Sequence, residues 1–389
     1  MRRPGATWPA IVLLAAAAAL IGASHGQFKD LLVYQYAGDA VLHGRAVYGT
    51  RDPVNDLPFT YPPFAAVVAV PLALLPPWLA GVLWTAASTA ALAGTVVVVR
   101  RALGRPAPGW LVLLLGAGAF FSEPVWQNAT FGQVNTFLML AVVADVLGPR
   151  GRTAGVLVGL AAGVKLTPLV FVVFLALAGR RPDAARAALV FAGTVVVGHL
   201  VLPGSTAAYW SDDLLRPSRV GPPALAHNQS VLGVLARLLD GRPPTLLWLA
   251  ITVPVCVAVL LVGVACWRAG DRVLGLGVAS LATLLASPVS WSHHWVWAVP
   301  LAVALWERSR WMSAAWSAVF VARPILWPPW GEHREYDWTL LDHVVGNAYV
   351  LGALALTGWV AGSVARSRPG RGQPLTGERA VALERGSPA

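Results

Sequence analysis

Residues 244–267 read PTLLWLAITVPVCVAVLLVGVACW and contain no charged side chain. An α-helix needs about 20 apolar residues to cross the hydrocarbon core of a bilayer. The stretch therefore predicts a membrane-spanning helix. The rest of the chain has the same character, because 57% of its 389 residues are hydrophobic and 12% are charged. Soluble domains carry about 25% charged residues, so a soluble protein is excluded.

Similar apolar runs recur along the chain, and none of them shows the alternation that a membrane β-barrel requires. We therefore predict an all-α polytopic membrane protein. The predicted spans are 8–24, 78–99, 109–121, 131–148, 184–203, 244–267, 272–286, 292–307, 311–327 and 340–363. Residues 1–24 could pass for a signal peptide, but their apolar run is long and more spans follow. We therefore expect an uncleaved first span.

The arginines predict the topology. The net charge is +11, and cytoplasmic loops attract basic residues, so the charge needs no nucleic-acid partner. With the N-terminus inside, every short basic loop falls on the cytoplasmic side, and so does the C-terminus. These loops are 100–105, 149–152, 180–186, 267–272 and 307–310. Residues 1–365 are expected to form the membrane domain, and residues 366–389 a disordered basic tail.

Two further apolar segments must enter and leave the membrane on one side. Segment 61–77 is short and interrupted by Pro71. Segment 153–179 predicts a hairpin bent at residues 165–168, which places Lys165 deep or near the outer face. Helix breaks at membrane depth are tolerated where they line a cavity. The sequence thus predicts ten full crossings, or twelve if both hairpin arms are counted.

The same topology places five polar segments outside the membrane, away from the cytoplasm. They contain most of the histidines, asparagines and glutamines: 25–61, 122–132, 204–243, 287–294 and 328–339. We expect the functional site on this side.

Four short motifs lie in or beside these segments. They are the Asp30 segment with LPFTYPPF (57–64), QNATFGQVN (127–135), GLAAGVKLTP (159–168), and HNQS (227–230) with SPVSWSHHW (287–295). In order and spacing they resemble glycosyltransferase family 87, the bacterial polyprenol-phosphate-mannose-dependent mannosyltransferases. The resemblance runs from about residue 28 to residue 300.

The resemblance implies a GT-C-like bundle with an extracytoplasmic active-site cavity. It implies inverting transfer of mannose from a polyprenyl-phosphate carrier to a hydroxyl of an envelope glycolipid or glycan, and an α-1,2 linkage is expected. Such enzymes use an acid in the first outer loop as base, and Asp30 matches that acid.

The chemistry of the residues agrees with this role. An attacking hydroxyl needs a carboxylate within hydrogen-bond reach, and a leaving phosphate needs cations or N–H donors. Asp30 is the candidate base. Asp39, nine residues and two and a half helical turns further on, is expected to share its helix face and is the second choice. Candidates for substrate binding are Lys165, His293, His294, Asn228, Gln229, Gln133, Asn135, Tyr61 and Asp39.

Each assignment has a structural alternative. Asp30 could pair with Lys29 at the membrane surface, and Lys165 could extend its ammonium from a helix end without a chemical role. One of the adjacent His293 and His294 could be a packing residue. The segment from Asn228 to Ser230 could be a helix cap.

Two further features have alternatives of the same kind. Tyr61 precedes two prolines that could break the chain at a pocket rim. The tryptophans, among them Trp291 and Trp330, are mostly expected in an interfacial belt.

The residue set demands neither a metal nor a cofactor. The alternative function is a transporter or flippase of envelope lipids or glycans, and such proteins often show internal repeats. The lack of a repeat in this sequence argues against it. A polymer ligase or acyltransferase is a third possibility.

Overall fold

The structure is a computed structural model that describes residues 7–149 and 151–366. The described residues form helices and two isolated β-bridges but no β-sheet. The α-helices are α1 (Thr7–His25), α2 (Lys29–Leu42), α3 (Pro63–Ala73), α4 (Pro77–Ala102), α5 (Gly109–Ala119), α6 (Glu123–Phe131), α7 (Asn135–Leu147), α8 (Val156–Val164), α9 (Leu169–Leu177), α10 (Arg181–Val201), α11 (Pro203–Ser211), α12 (Val231–Leu238), α13 (Thr245–Arg268), α14 (Arg272–Ala286), α15 (Ala298–Trp306), α16 (Arg310–Ala322), α17 (Leu340–Gly346) and α18 (Ala348–Arg366). The all-α class is thus confirmed. Residues 367–389 of the predicted tail lie outside the described residues.

Four helices in the described part of the chain are long and apolar enough to cross a membrane: α4, α10, α13 and α18. Helices α5 and α6 pass the same test together but meet at an 83° bend, and would make a fifth. The polytopic prediction is therefore confirmed. The other apolar helices are shorter, so ten to twelve crossings remain a prediction.

Several predicted spans have different boundaries in the structure. The span at 131–148 begins at Asn135, because α6 ends before Gly132, whose φ of 70° cannot continue a right-handed helix. The span at 340–363 is divided into α17 and α18. The span at 292–307 opens with a 3-10 turn, Ser292–Trp297, before α15.

Both predicted helix breaks are present. Segment 61–77 contains the 11-residue helix α3, which has Pro71 inside it. Segment 153–179 contains α8 and α9, separated by residues 165–168. Lys165 has extended backbone angles, with φ −149° and ψ 133°. Proline has no N–H, so Pro168 cannot donate to the carbonyl of Val164, and the helical hydrogen bonds cannot continue through this stretch.

The predicted cytoplasmic loops meet at one end of the bundle. Arg105 lies 2.8 Å from a carboxylate oxygen of Glu307, and Arg308 donates a 2.8 Å hydrogen bond to Asp271. Arg268 donates to the carbonyl of Leu177, three residues before the loop at 180–186. These contacts join three loops that the arginine pattern placed on one side, and they join the end of α9 to one of them.

Helix α2 carries Asp30 and packs closely on α3. A Cβ at Gly38 would lie 2.5 Å from the carbonyl oxygen of Ala69, so the two backbones touch there. The Gln35 amide donates to the carbonyls of Leu72 and Leu75, at 2.9 and 3.0 Å. Since carbonyls at a helix end lack partners within the helix, Gln35 caps α3 and fixes α2 against it.

Gly38→Ala is therefore expected to push α2 away from α3, because the added methyl group overlaps the Ala69 carbonyl. Overpacking of this kind costs about 1–3 kcal/mol and should lower the apparent melting temperature in detergent. The matched control is Gly193→Ala in α10, where an added Cβ meets no atom within 4 Å. An equal melting temperature for the two variants would contradict the close packing.

Candidate active site

Segments predicted to lie on one face of the membrane meet at a cavity of about 780 Å³. This volume lies within the usual range for small-molecule sites, about 300–1,000 Å³. The predicted site residues in its wall are Asp30, Tyr61, Gln133, Lys165, His293 and His294. The structure thus brings together residues from all four motifs identified in the sequence.

Asp30 is positioned by the start of α2. The backbone N–H groups of Gln27 and Phe28 both donate to the carbonyl of Thr130, at 3.0 and 2.8 Å. Phe28 adopts left-handed backbone angles, with φ 49° and ψ 27°, immediately before the helix. These contacts hold the first turn of α2 against the end of α6, so Asp30 is presented to the cavity from a fixed helix end.

The side chain of Gln133 connects Asp30 to the rest of the site. Its Oε1 accepts hydrogen bonds from the hydroxyls of Tyr34 (3.3 Å) and Tyr61 (3.2 Å) and from Nδ2 of Asn135 (3.3 Å). Its amide adjoins the Asp30 carboxylate, where hydrogen bonding from Gln133 lowers the pKa of Asp30.

Burial raises the pKa of Asp30 from its ordinary value to about 6. The hydrogen bond from Gln133 and the positive charges of Lys165 and Lys29 act in the opposite direction. A carboxylate in this range is a stronger base than an exposed aspartate and is still ionised at neutral pH. General bases work best when their pKa is close to the working pH.

Lys165 forms the other polar centre of the cavity. Its Nζ donates to Oδ1 of Asn135 at 2.8 Å and contacts Nε2 of His294 at 2.9 Å. It also lies 5.5 Å from the centre of the Tyr61 ring. An ammonium is a donor and never an acceptor, so His294 accepts through Nε2 and is neutral. These two partners use two of the three Nζ protons and leave one for a ligand.

Asn135 is itself held by polar side chains of α4, α6 and α7. Its Nδ2 donates to Oδ1 of Asn128 at 3.2 Å and to the carbonyl of His293 at 3.1 Å. The hydroxyls of Ser88 and Thr136 are 2.8 Å apart, and Asn128 contacts Ser88 at 3.4 Å. This network aims the Asn135 carbonyl at Lys165.

His293 faces the cavity beside its neighbour. It is buried, and its Nε2 has no hydrogen-bond partner among the described residues. Its ring contacts the rings of Phe131 and His294 edge to face, with centroids 5.9 and 4.8 Å away. Both histidines therefore line the cavity, although His294 alone contacts Lys165.

Asn228 and Gln229 occupy a different position. Both are completely buried and neither lines the cavity. Asn228 Oδ1 accepts from the backbone N–H of Ser290 at 2.8 Å, and Gln229 Nε2 donates to the carbonyls of Ala226 and Gly346, both at 2.7 Å. Their amides join chain segments behind the cavity wall, so this placement does not favour the predicted role in substrate binding.

The alternative interpretation of the HNQS motif as a helix cap holds for its last residue. Ser230 precedes α12, and its side-chain oxygen accepts from the backbone N–H of Gly233 at 3.0 Å. Serine is a preferred N-cap residue for this reason.

Asp39 does not share the helix face of Asp30, and that expectation is wrong. Nine residues at 3.6 per turn amount to two and a half turns, which directs the two carboxylates to opposite faces. Asp39 pairs with Arg45 and lies 3.1 Å from Nδ1 of His43. It is not among the residues that line the cavity.

Sequence reasoning missed several residues of the cavity wall. Arg219 and Asp213 form a 2.6 Å ion pair there, and His227 contacts Trp330. Trp330 and Trp291 were assigned mostly to a membrane belt, yet both line the cavity. His227 is the first residue of the HNQS motif and lines the cavity, whereas the two residues that follow it are buried behind the wall.

The described residues include no cluster of side chains suited to bind a metal ion. In residues 7–149 and 151–366, no three or more His, Cys, Asp or Glu side chains are grouped so that they could hold an ion. The prediction that the site needs neither a metal nor a cofactor stays a prediction.

A carboxylate and a cation held in one cavity of a polytopic helical bundle are the two groups that a membrane-embedded transfer from a phosphate carrier needs, a base and a charge for the leaving phosphate. Residues 59–288 match the sequence profile of glycosyltransferase family 87. The chain is 38% identical over 377 residues to a polyprenol-phosphate-mannose-dependent α-(1-2)-phosphatidylinositol pentamannoside mannosyltransferase of Mycobacterium tuberculosis, covering 88% of this chain and 84% of that protein.

Two proteins of Mycolicibacterium smegmatis are similar in the same way. One carries the same description and is 36% identical, covering 86% of this chain and 85% of its own length. The other is a polyprenol-phosphate-mannose-dependent α-(1-2)-phosphatidylinositol mannoside mannosyltransferase, 37% identical over 92% of this chain and 89% of its own length. No solved structure gives a significant match.

The chain belongs to glycosyltransferase family 87. The resemblance inferred from the motifs is thus confirmed, and so is the assignment as a glycosyltransferase. The transporter or flippase alternative finds no support.

The pKa of Asp30 predicts how kcat/KM depends on pH on the acidic side of its profile, the acidic limb. A base must be unprotonated, so kcat/KM should fall about tenfold per pH unit below about pH 6. Gln133→Leu removes a hydrogen bond that lowers this pKa, and should therefore move the limb to higher pH. Asp39→Asn should leave the position of the limb unchanged. Identical limbs in wild type and Gln133→Leu would show that Asp30 is not the titrating group.

Proposed function

We propose that this protein transfers mannose from a polyprenyl-phosphate carrier to a hydroxyl of a phosphatidylinositol mannoside and forms an α-1,2 linkage. The printed descriptions of the relatives support both substrate classes. The observation that carries the proposal is a continuous series of side-chain contacts along one cavity wall. The series runs through Asp30, Gln133, Asn135, Lys165 and His294.

This series provides the groups that the reaction needs at its two ends. The acceptor oxygen attacks the anomeric carbon and loses its proton to the Asp30 carboxylate. The bond between that carbon and the phosphate oxygen breaks, and its electron pair leaves with the phosphate. Lys165 offers its remaining Nζ proton and its charge to that phosphate, where negative charge accumulates.

A single carboxylate suits a direct displacement. In a direct displacement the anomeric carbon inverts, so a β-linked donor would give an α-mannoside. The reaction then needs no second side chain that attacks the anomeric carbon, and no covalent sugar–enzyme intermediate forms. Gln133 supports this role because it orients Asp30 and contributes to setting its pKa.

His293 and the remaining amides fit the binding of the sugar and the phosphate. His293 has an unpartnered Nε2 and adjoins His294, which contacts Lys165. Tyr61 lines the cavity and lies beneath Lys165. These groups line a pocket that combines aromatic rings with a few polar side chains, as expected for a small-molecule site.

We further propose that the cavity opens on the extracytoplasmic side, with both termini in the cytoplasm. The positive-inside rule supports this orientation, and so does the meeting of the arginine-containing loops at one end of the bundle. A lipid-linked sugar would reach the cavity from the bilayer, so no nucleotide sugar is needed, and no metal is required for the proposed steps.

Asp30→Asn tests the base. We expect a loss of about 10²–10⁴-fold in kcat, because the amide cannot take the proton from the acceptor. The measurement is mannose transfer in membranes supplied with polyprenyl-phosphate mannose and a phosphatidylinositol mannoside. Asp56→Asn, in an exposed ion pair with Arg51, is the matched control in the same polar segment.

Three outcomes would contradict the proposal. Full activity of Asp30→Asn would remove Asp30 from the mechanism, and the same loss in Asp39→Asn as in Asp30→Asn would mean that the two acids act together. If the wild type fails to use any polyprenyl-phosphate mannose, the proposed donor is wrong.

Lys165→Met tests the phosphate site. Methionine keeps an unbranched side chain but removes the charge, so kcat should fall about 10²–10³-fold, as when a transition-state donor is lost. Lys29→Met is the comparison, since Lys29 also carries a positive charge at the cavity wall but is exposed and lies over the ring of Phe131. The kcat of both variants is measured over the same series of donor concentrations. Equal losses of kcat would mean that removal of either positive charge has the same effect, and would contradict a specific phosphate site at Lys165.

A further inference from the structure

The mouth of the cavity has an aromatic wall that the proposed chemistry does not use. Trp330 and His227 meet edge to face, with ring centroids 4.8 Å apart and planes at 83°. Both line the cavity, as does Trp291. Trp330 is 41% exposed whereas His293 is buried, so Trp330 marks the outer part of the cavity and His293 the inner part.

The turn after Trp330 is held in an unusual conformation. Gly331, Glu332 and His333 all have positive φ, at 79°, 53° and 66°. Residues with a Cβ rarely adopt such angles, and they persist where surrounding contacts determine them. The Glu335 carboxylate provides such contacts, because its Oε1 accepts from the backbone N–H of Gly331 at 2.8 Å.

The same carboxylate fixes the other half of the aromatic pair. Glu335 Oε1 also accepts from the backbone N–H of Ala226, at 3.2 Å, next to His227. Glu335 is almost completely buried. One buried side chain therefore sets the position of the chain after Trp330 and of the chain before His227.

A buried arginine provides a second anchor. Arg237 donates to the carbonyls of Ala224 and Leu225, both at 3.0 Å. Its guanidinium lies 5.3 Å from the centre of the Trp338 ring, and Trp338 Nε1 donates to the carbonyl of Pro329 at 2.6 Å. Trp330 is thus exposed on a loop that is fixed on both sides, which is the arrangement of a preorganised binding surface.

The chemistry of this surface suits a sugar ring. The face of an aromatic ring is electron-rich and attracts the weakly positive C–H groups on one face of a pyranose. The hydroxyls at the rim of the sugar stay free for polar partners. An exposed tryptophan that served the membrane belt would face lipid, whereas Trp330 faces a cavity whose wall includes Arg219, Asp213 and His227.

The position of Trp330 favours the acceptor over the donor. The donor phosphate is assigned to the inner end, beside Lys165 and His294, and the acceptor hydroxyl must reach Asp30. The rest of an acceptor glycan then extends outward from Asp30 toward the mouth. We propose that Trp330, supported by His227, is a stacking platform for a mannose ring of the acceptor glycan. This inference rests on the proposed function.

The test compares Trp330→Ala, Trp330→Phe and Trp327→Ala. Trp327 lies three residues earlier and is 66% exposed, but does not line the cavity. With a phosphatidylinositol mannoside as acceptor, Trp330→Ala should raise the acceptor KM roughly tenfold, equal to about 1.4 kcal/mol. The donor KM should stay within about twofold, and Trp330→Phe should restore most of the affinity because it retains a ring.

Binding is measured separately, without turnover. In an Asp30→Asn background, α-1,2-mannobiose is titrated while intrinsic tryptophan fluorescence is recorded. A saturable change that disappears in Trp330→Ala and persists in Trp327→Ala supports the platform. Monodisperse elution in detergent shows that each variant is folded.

The outcomes separate the two proposals. If the wild type transfers mannose but Trp330→Ala has an unchanged acceptor KM, the platform is wrong and the proposed function stands. If mannobiose binding depends on Trp330 while no mannose is transferred, the proposed function is wrong and the sugar site stands. A rise in the donor KM alone would assign the ring to the donor and overturn the inference.

Discussion

The contacts of the Lys165 ammonium are the constraint on which the rest of the site depends. Lys165 lies between two apolar helices, α8 and α9, where an unpaired charge would be costly. Asn135 and His294 contact its Nζ at 2.8 and 2.9 Å. Satisfying one ammonium therefore brings together the break of the hairpin, the start of α7 and the 3-10 turn before α15. The cavity lies where these elements meet.

The same residue types serve two different purposes around the cavity. Gln133 and Asn135 line or border it and connect Asp30 with Lys165. Asn228 and Gln229 are equally polar but completely buried, and their amides join backbone segments. The two pairs of residues differ in the hydrogen-bond partners that surround their amides. A buried amide must find hydrogen bonds wherever it lies, and the backbone around residue 228 offers carbonyls and N–H groups that would otherwise be unpaired.

Rigid positioning recurs at each functional group. Asp30 sits on a helix end tied to Thr130, Asn135 is held by a polar network, and Trp330 precedes a turn fixed by Glu335. A glycosyltransferase with a lipid-linked donor must exclude water from its reacting carbon and still accept a second substrate. Groups fixed before binding lose little freedom when the substrates arrive, so more of the binding energy remains for the transition state.

Much of the architecture follows from the sequence alone. Apolar runs and arginine-rich loops predicted a polytopic helical protein, and Pro71 and the residues around Lys165 predicted the two helix breaks that the structure contains. The four motifs indicated the family, the resemblance implied that Asp30 is the base, and the position and charge of Lys165 made it a candidate. These features are local, because hydropathy, charge and proline act over a few residues.

The sequence by itself therefore determined the fold class, the family and the principal charged groups of the site. Only the tertiary structure separated Asp30 from Asp39, removed Asn228 and Gln229 from the cavity wall, and placed His227 and Trp330 in it. Those outcomes depend on which face of a helix or extended segment meets a distant neighbour. Contacts between residues more than 100 positions apart, such as His227 with Trp330, are set by packing and cannot be derived from local pattern.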